Sequence, residues 1–291
     1  MARPKTAWVF SGGGSLGAVQ VGMLQALAEA GVQADFLIGA SVGALNAAFY
    51  AQAPTVEGVA RLAGLWRRLR RKDVFPLTLL AGLKALLLRR DHLVEPDALR
   101  VIIAAALDVR RIEETRVPLH VVATDAMTGA EVLLSSGAID VALLASTAIP
   151  VVFPPVVVAG RRLIDGGVGS NTPITGALAL GAQRILVLPT GTSCALQEPP
   201  RDMAARALQV MSLLSMRQLD RDVQHCTALA EIVIVPPLCP LAVSAFDFSQ
   251  TVALIERAAA QTRDWLASGG LRRSGPLHVP LAHQDRLHAV H

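Results

Sequence analysis

The chain has 291 residues, 52% of them hydrophobic and 17% charged, enough apolar material for one large α/β core, which excludes a disordered chain. Its longest apolar stretches, residues 74–88 and 141–158, are interrupted by Pro, Lys, Gly or Ser and fall short of a membrane-spanning helix. The net charge of +4 is gathered around Arg67, Arg68, Arg70, Arg71 and Lys72, with Arg89 and Arg90 behind them, while aromatic residues are only 4% of the chain; nucleic acid, which needs stacking platforms, is excluded as the expected partner.

In chain order, residues 7–10 read as a first strand and 16–30 as a helix stopped at Gly31. A second strand at 36–39 runs into a helix from 42 to about 53, ended by Pro54. Residues 56–71 repeat apolar side chains at helical spacing through Val59, Leu62, Leu65, Trp66 and Leu69. An apolar segment at 75–90, bounded by arginines, follows, then a helix at 97–107. Strands are expected at 119–124 and 132–135, a helix at 139–148, and a hairpin at 156–164 turning at Gly160. Helix 174–180, strand 184–188, helix 201–220, strand 232–235 and helix 251–266 complete the pattern. Alternating strands and helices define an α/β fold with a mainly parallel central sheet covered by helices on both faces. One domain is expected over residues 1–268, with 269–291 as a basic tail containing His and Pro.

Residues 1–9 contain no apolar signal segment, so the expected location is cytoplasmic, with the basic cluster suited to peripheral contact with an anionic membrane. Cys194, Cys226 and Cys239 are an odd number without a C-x-x-C pair. They read as buried reduced thiols rather than a disulfide framework or a zinc site. No metal site or cofactor is expected.

Two glycine-bearing turns carry chemistry. Ser11-Gly12-Gly13-Gly14-Ser15-Leu16-Gly17 joins a strand to a helix, where backbone N–H groups and the helix N-terminus favour an anion. Gly12, Gly14 and Gly17 also match the G-x-G-x-x-G spacing of a dinucleotide loop. That reading wants an acidic residue at the end of the next strand, whereas Asp35 lies before it and the strand runs into Gly39-Ala40-Ser41. An oxyanion site at Gly12, Gly13 and Gly14 fits better. Gly39-Ala40-Ser41-Val42-Gly43 matches the G-x-S-x-G nucleophile elbow, between a strand and a helix. A serine at a helix N-cap is the plainer reading of the same residues. In an α/β-hydrolase the elbow follows several strands, but here Ser41 follows only the second, so a different fold is implied.

Asp165-Gly166-Gly167 ends the expected hairpin and projects a carboxylate from a strand end. These three motifs, with Ser146-Thr147-Ala148-Ile149-Pro150, Phe153-Pro154-Pro155 and Asn171-Thr172-Pro173-Ile174, resemble the patatin-like phospholipase family over about residues 7–187. The resemblance implies a lipid acyl hydrolase. Its catalytic dyad would be Ser41, which attacks an ester, and Asp165, which takes the serine proton; the glycine loop would hold the oxyanion and no metal or cofactor would be needed. Leu16 departs from the pattern, since family members often carry Arg or Lys there. A catalytically weak or silent lipid-binding protein is therefore the alternative. His225 is the residual rival base, in a Ser-Asp-His triad. The apolar segment at 74–88 is either a lid over an acyl groove or a helix covering the core.

Overall fold

The computed structural model describes residues 3–75, 92–191, 203–239, 241 and 243–272. The segment expected as a lid falls mostly outside these residues, as does the tail from 273 onward.

Eight strands, β1 (Thr6–Phe10), β2 (Phe36–Ala40), β3 (Leu119–Asp125), β4 (Glu131–Leu134), β5 (Val156–Val158), β6 (Arg161–Asp165), β7 (Arg184–Leu188) and β8 (Glu231–Ile234), form one mixed sheet. Its order is β5-β6-β3-β2-β1-β7-β8, with β4 also on β3. Strands β3, β2, β1, β7 and β8 run parallel, whereas β4 and β6 pair with β3, and β5 with β6, antiparallel. Around the sheet lie α1 (Gly17–Glu29), α2 (Val42–Gln52), α3 (Val56–Arg68), α4 (Arg71–Val74), α5 (Asp97–Ala106), α6 (Ile139–Ser146), α7 (Gly166–Ser170), α8 (Ile174–Ala179), α9 (Met203–Cys226) and α10 (Thr251–Ala267).

Both faces of the sheet are buried, for the reason that strand side chains alternate. Trp8, Phe10, Leu37 and Leu186 point into a core closed by α1, α2, α3 and α10. Ala7, Val9, Ile38 and Val187 point the other way, against Ile174 and Ala177 of α8 and Val223 and Cys226 of α9. The single helix expected at 56–71 is broken into α3 and α4. The break falls at Leu69 and Arg70, where the Arg70 N–H donates to the Asp73 carboxylate at 2.8 Å and starts a new turn. Cys226 is buried and free, but Cys239 is disulfide-bonded. The expectation of reduced thiols is corrected there, because neither an odd cysteine count nor a missing C-x-x-C pair excludes a disulfide.

Register brings the second strand and the hairpin together. Strands β4 and β6 both pair with Ala123 and Thr124, so they occupy opposite edges of β3. Strand β2 pairs with Val121 and Val122, as β4 does, so β2 shares the edge taken by β6. Along that edge Ala40 faces Val122 and Asp165 faces Ala123. The C-terminal ends of β2 and β6 therefore meet head to head, one residue apart in register.

Candidate active site

Ser41 is the first residue past the end of β2 and Asp165 is the last of β6, so this junction sets them side by side. The Ser41 hydroxyl donates to Asp165 Oδ2 at 2.7 Å. Ser41 stands at the N-cap position of α2, yet its side chain makes no capping bond, so the N-cap reading does not account for it. Its backbone is held at φ 54°, ψ −129°, a conformation costly for any residue but glycine. The flanking glycines permit the turn: a Cβ on Gly43 would lie 2.5 Å from the Phe10 carbonyl oxygen and 2.6 Å from that of Ser11. The Ser41 N–H is tied down by Ser146 Oγ at 2.8 Å, whose hydroxyl donates in turn to the Val122 carbonyl at 2.5 Å.

Asp165 is 4% exposed. Burial pushes its carboxyl up from 3.8 to about 6, and the hydrogen bonds from Ser41 and Gly167 only partly oppose this. Oδ1 accepts the Gly167 N–H at 2.7 Å, which leaves Oδ2 for the serine. The backbone is braced on both sides, with the Asp165 N–H on the Ala148 carbonyl at 2.9 Å and its carbonyl accepting Thr124 Oγ1 at 2.8 Å. The carboxylate is fixed, partly desolvated and aimed at one hydroxyl.

The glycine loop lies beside the serine, since a Cβ on Gly12 would be 3.2 Å from Ser41 Cβ. Loop and serine share the C-terminal edge of the parallel strands, where β1 separates β2 from β7 and the order of strand addition reverses. The Gly12 N–H is already spent on the Asn171 carbonyl at 3.0 Å, and the Gly12 carbonyl accepts Thr190 Oγ1 at 2.7 Å. Of the three glycines expected to hold the oxyanion, Gly12 is thus engaged in clamping the loop. The N–H groups of Gly13 and Gly14 have no hydrogen-bond partner among the described residues. Ser15 is structural: its hydroxyl donates to the Ser244 carbonyl and its N–H to that of Ala245. Leu16 is buried and lines the cleft, bringing an apolar side chain to the loop.

Several residues of the site had no role readable from the sequence. Thr190, which follows β7 and shapes the loop, lies in no motif, whereas Asn171 and Ser146 lie in motifs whose place in the site comes from the fold: Asn171 clamps Gly12, and Ser146 bridges the Ser41 N–H and the Val122 carbonyl. Gln20 donates to the Ser11 and Leu188 carbonyls and accepts from Asn46, which accepts from Trp66, so a buried polar chain joins the loop to α2 and α3. His225 is brought to neither partner. It is exposed near the end of α9, its Nδ1 2.8 Å from the Arg221 carbonyl oxygen, and it is not among the cleft-lining residues.

Two cavities meet at Ser41. A cleft of about 140 Å³ runs from the glycine loop past Asn171 and Thr190 to α9. A second of about 80 Å³ is almost wholly apolar, walled by Leu62, Trp66, Leu99, Ile103, Phe153 and Phe248. Gly14, Ser41, Phe75 and Ile149 line both. The first holds Asp165 and Asp220 as its charged side chains among the described residues, and no Lys or Arg. No group of three His, Cys, Asp or Glu suited to a metal ion occurs among the described residues.

The sequence profile of the patatin-like phospholipase family matches residues 8–178, and the chain belongs to that family. It is 32% identical over 171 residues to an uncharacterized NTE family protein of Mycobacterium tuberculosis, covering 59% of this chain and 45% of that protein. It is 27% identical over 188 residues to patatin-like phospholipase domain-containing protein 7 of Rattus norvegicus, covering 64% of this chain and 14% of that one. The chain thus spans under half the length of these curated relatives. Human GIVD cytosolic phospholipase A2 superposes with a TM-score of 0.49 at 12% identity, over 92% of this chain and 59% of that one.

Proposed function

We propose that this chain is a serine acyl hydrolase of lipid carboxylic esters, with Ser41 as nucleophile and Asp165 as its base. The observation that carries the reading is the 2.7 Å hydrogen bond from the Ser41 hydroxyl to a buried carboxylate whose pKa is raised to about 6. Such a carboxylate is a better base than an exposed one and is still ionised at neutral pH.

In the first half-reaction Ser41 Oγ bonds to the ester carbonyl carbon as its proton passes to Asp165. The carbonyl oxygen takes the negative charge and is met by the free N–H groups of Gly13 and Gly14. Collapse of this adduct breaks the bond to the alcohol, which leaves with the proton from Asp165. Water then attacks the acyl-enzyme with the same carboxylate as base, freeing the acid and restoring Ser41. The apolar cavity suits the acyl chain and the cleft toward α9 suits the alcohol portion.

The test is a panel of p-nitrophenyl esters of increasing chain length, together with phospholipids, assayed with wild type and Ser41→Ala. The expected result is hydrolysis that Ser41→Ala abolishes, with a preference for chains longer than acetyl. Retained turnover in Ser41→Ala refutes the reading, and a wild type that binds lipid without hydrolysing any ester supports the silent alternative.

A further inference from the structure

Helix α9 contributes Ser215, Met216, Leu219 and Asp220 to the cleft, while Val223 and Cys226 anchor it in the core. Its outer side is unusual for a surface helix. Val210 and Leu213 are each 53% exposed and Leu214 is 63% exposed. At about 3.6 residues per turn, Arg206, Val210, Leu213, Leu214, Arg217 and Arg221 fall on one face, and all six are exposed. The apolar side chains occupy its middle and arginines both ends. The acidic residue beside this stripe is Asp220, which turns toward the cleft.

We propose that this stripe docks the protein on an anionic lipid bilayer. Valine and leucine side chains enter the acyl boundary while the arginine guanidinium groups meet lipid phosphates, the pairing of apolar area with basic charge that holds interfacial helices. Charge selects this occupant: a face with arginines at both ends complements anionic headgroups, and a cation-rich face opposes its own second copy. Met216 and Asp220, on the flank of the stripe, line the cleft, so docking here sets the cleft mouth against the surface that holds the substrate. The inference rests on the acyl-hydrolase reading for its purpose, and the test keeps the two apart.

The full chain is sedimented with vesicles of phosphatidylcholine alone or mixed with phosphatidylglycerol, and hydrolysis of a short soluble ester is measured alongside. Two variants are compared: Val210→Gln with Leu213→Gln and Leu214→Gln, and Arg217→Glu with Arg221→Glu. Wild type should bind the anionic vesicles and bind phosphatidylcholine weakly. Each variant should lose binding by about tenfold or more, since buried apolar area and basic charge each contribute to holding an interfacial helix. Soluble-ester turnover and the melting temperature should be unchanged. The charge-reversal pair keeps the test valid if the triple variant does not fold.

Wild type that ignores anionic vesicles, or binding unchanged in both variants, overturns the proposal. A wild-type dimer that the triple variant splits, with no vesicle binding, overturns it in favour of a second copy on this face. Vesicle binding that behaves as expected in a protein without esterase activity supports the surface and refutes the catalytic reading instead.

Discussion

Replacing Asp165 with Asn should make the protein more stable and nearly inactive at the same time. Asn keeps the shape of the side chain, its Oδ1 can still accept the Gly167 N–H, and its amide can donate to Ser41 Oγ. What disappears is a buried charge. The folded carboxyl binds its proton up to about pH 6, against 3.8 as the reference value. Between these values the native state holds a proton that the unfolded chain has lost, so stability falls as pH rises through that window. Above it the wild type bears the whole penalty, about 3 kcal/mol at 1.36 kcal/mol per unit; below it the penalty vanishes. Urea unfolding of wild type and Asp165→Asn at pH 4 and pH 8 measures this as a change in their difference, which cancels any effect of the substitution that does not depend on pH. Asp165→Asn should gain about 2.4 kcal/mol on wild type from pH 4 to pH 8, short of the full penalty because the unfolded carboxyl is already more than half ionised at pH 4, while turnover of a soluble ester falls by ~10²- to 10⁴-fold. A stability difference that does not vary with pH refutes the raised pKa, and wild-type turnover refutes the base.

The same titration predicts that kcat/KM for a soluble ester rises with pH through about 6 and levels off above it, as Asp165 of the free protein ionises; a profile flat from pH 4 to 8 contradicts this. Ser41→Gly should be about 1 kcal/mol more stable than Ser41→Ala in urea unfolding, because only glycine adopts φ 54° without strain. Gly13→Ala places a Cβ 2.3 Å from Thr190 Oγ1, so the loop must shift. Steady-state turnover should fall on the order of 10²- to 10³-fold with a folded protein, the cost typical of losing one oxyanion donor.

Much of this architecture is legible in the residues. Strand-helix alternation yields the α/β class, and G-x-S-x-G between strand 36–39 and the following helix places Ser41 on its elbow, because small neighbours are needed wherever a backbone turns that tightly. The carboxylate at the end of the 156–164 hairpin is visible for a similar reason. Its distance from Ser41 is not, since it depends on β6 continuing the edge of β3 that β2 vacates at Ala40, and local patterning does not encode which edge a strand takes. The glycine loop shows the same division. Its composition announces free N–H groups, but that Gly12 spends its own on Asn171, 159 residues away, follows from tertiary packing. The break between α3 and α4 escapes periodicity because Leu69 keeps the apolar spacing while Asp73 caps a new turn. Helix α9 runs to Cys226, beyond the expected end at 220, because Val223 and Cys226 still pack on the sheet and no breaker lies between.

The central claim is that Ser41 is the nucleophile and Asp165 its activator, and covalent capture tests it most directly. Wild type, Ser41→Ala, Asp165→Asn and His225→Ala are treated with a fluorophosphonate ester, and the modified peptide is mapped by mass spectrometry with the rate of labelling followed over time. The account predicts one adduct, on Ser41, absent in Ser41→Ala, formed at least ~10²-fold more slowly in Asp165→Asn, and formed at the wild-type rate in His225→Ala. An adduct on another residue, or labelling of Ser41 that is indifferent to Asp165 and lost with His225, would contradict it.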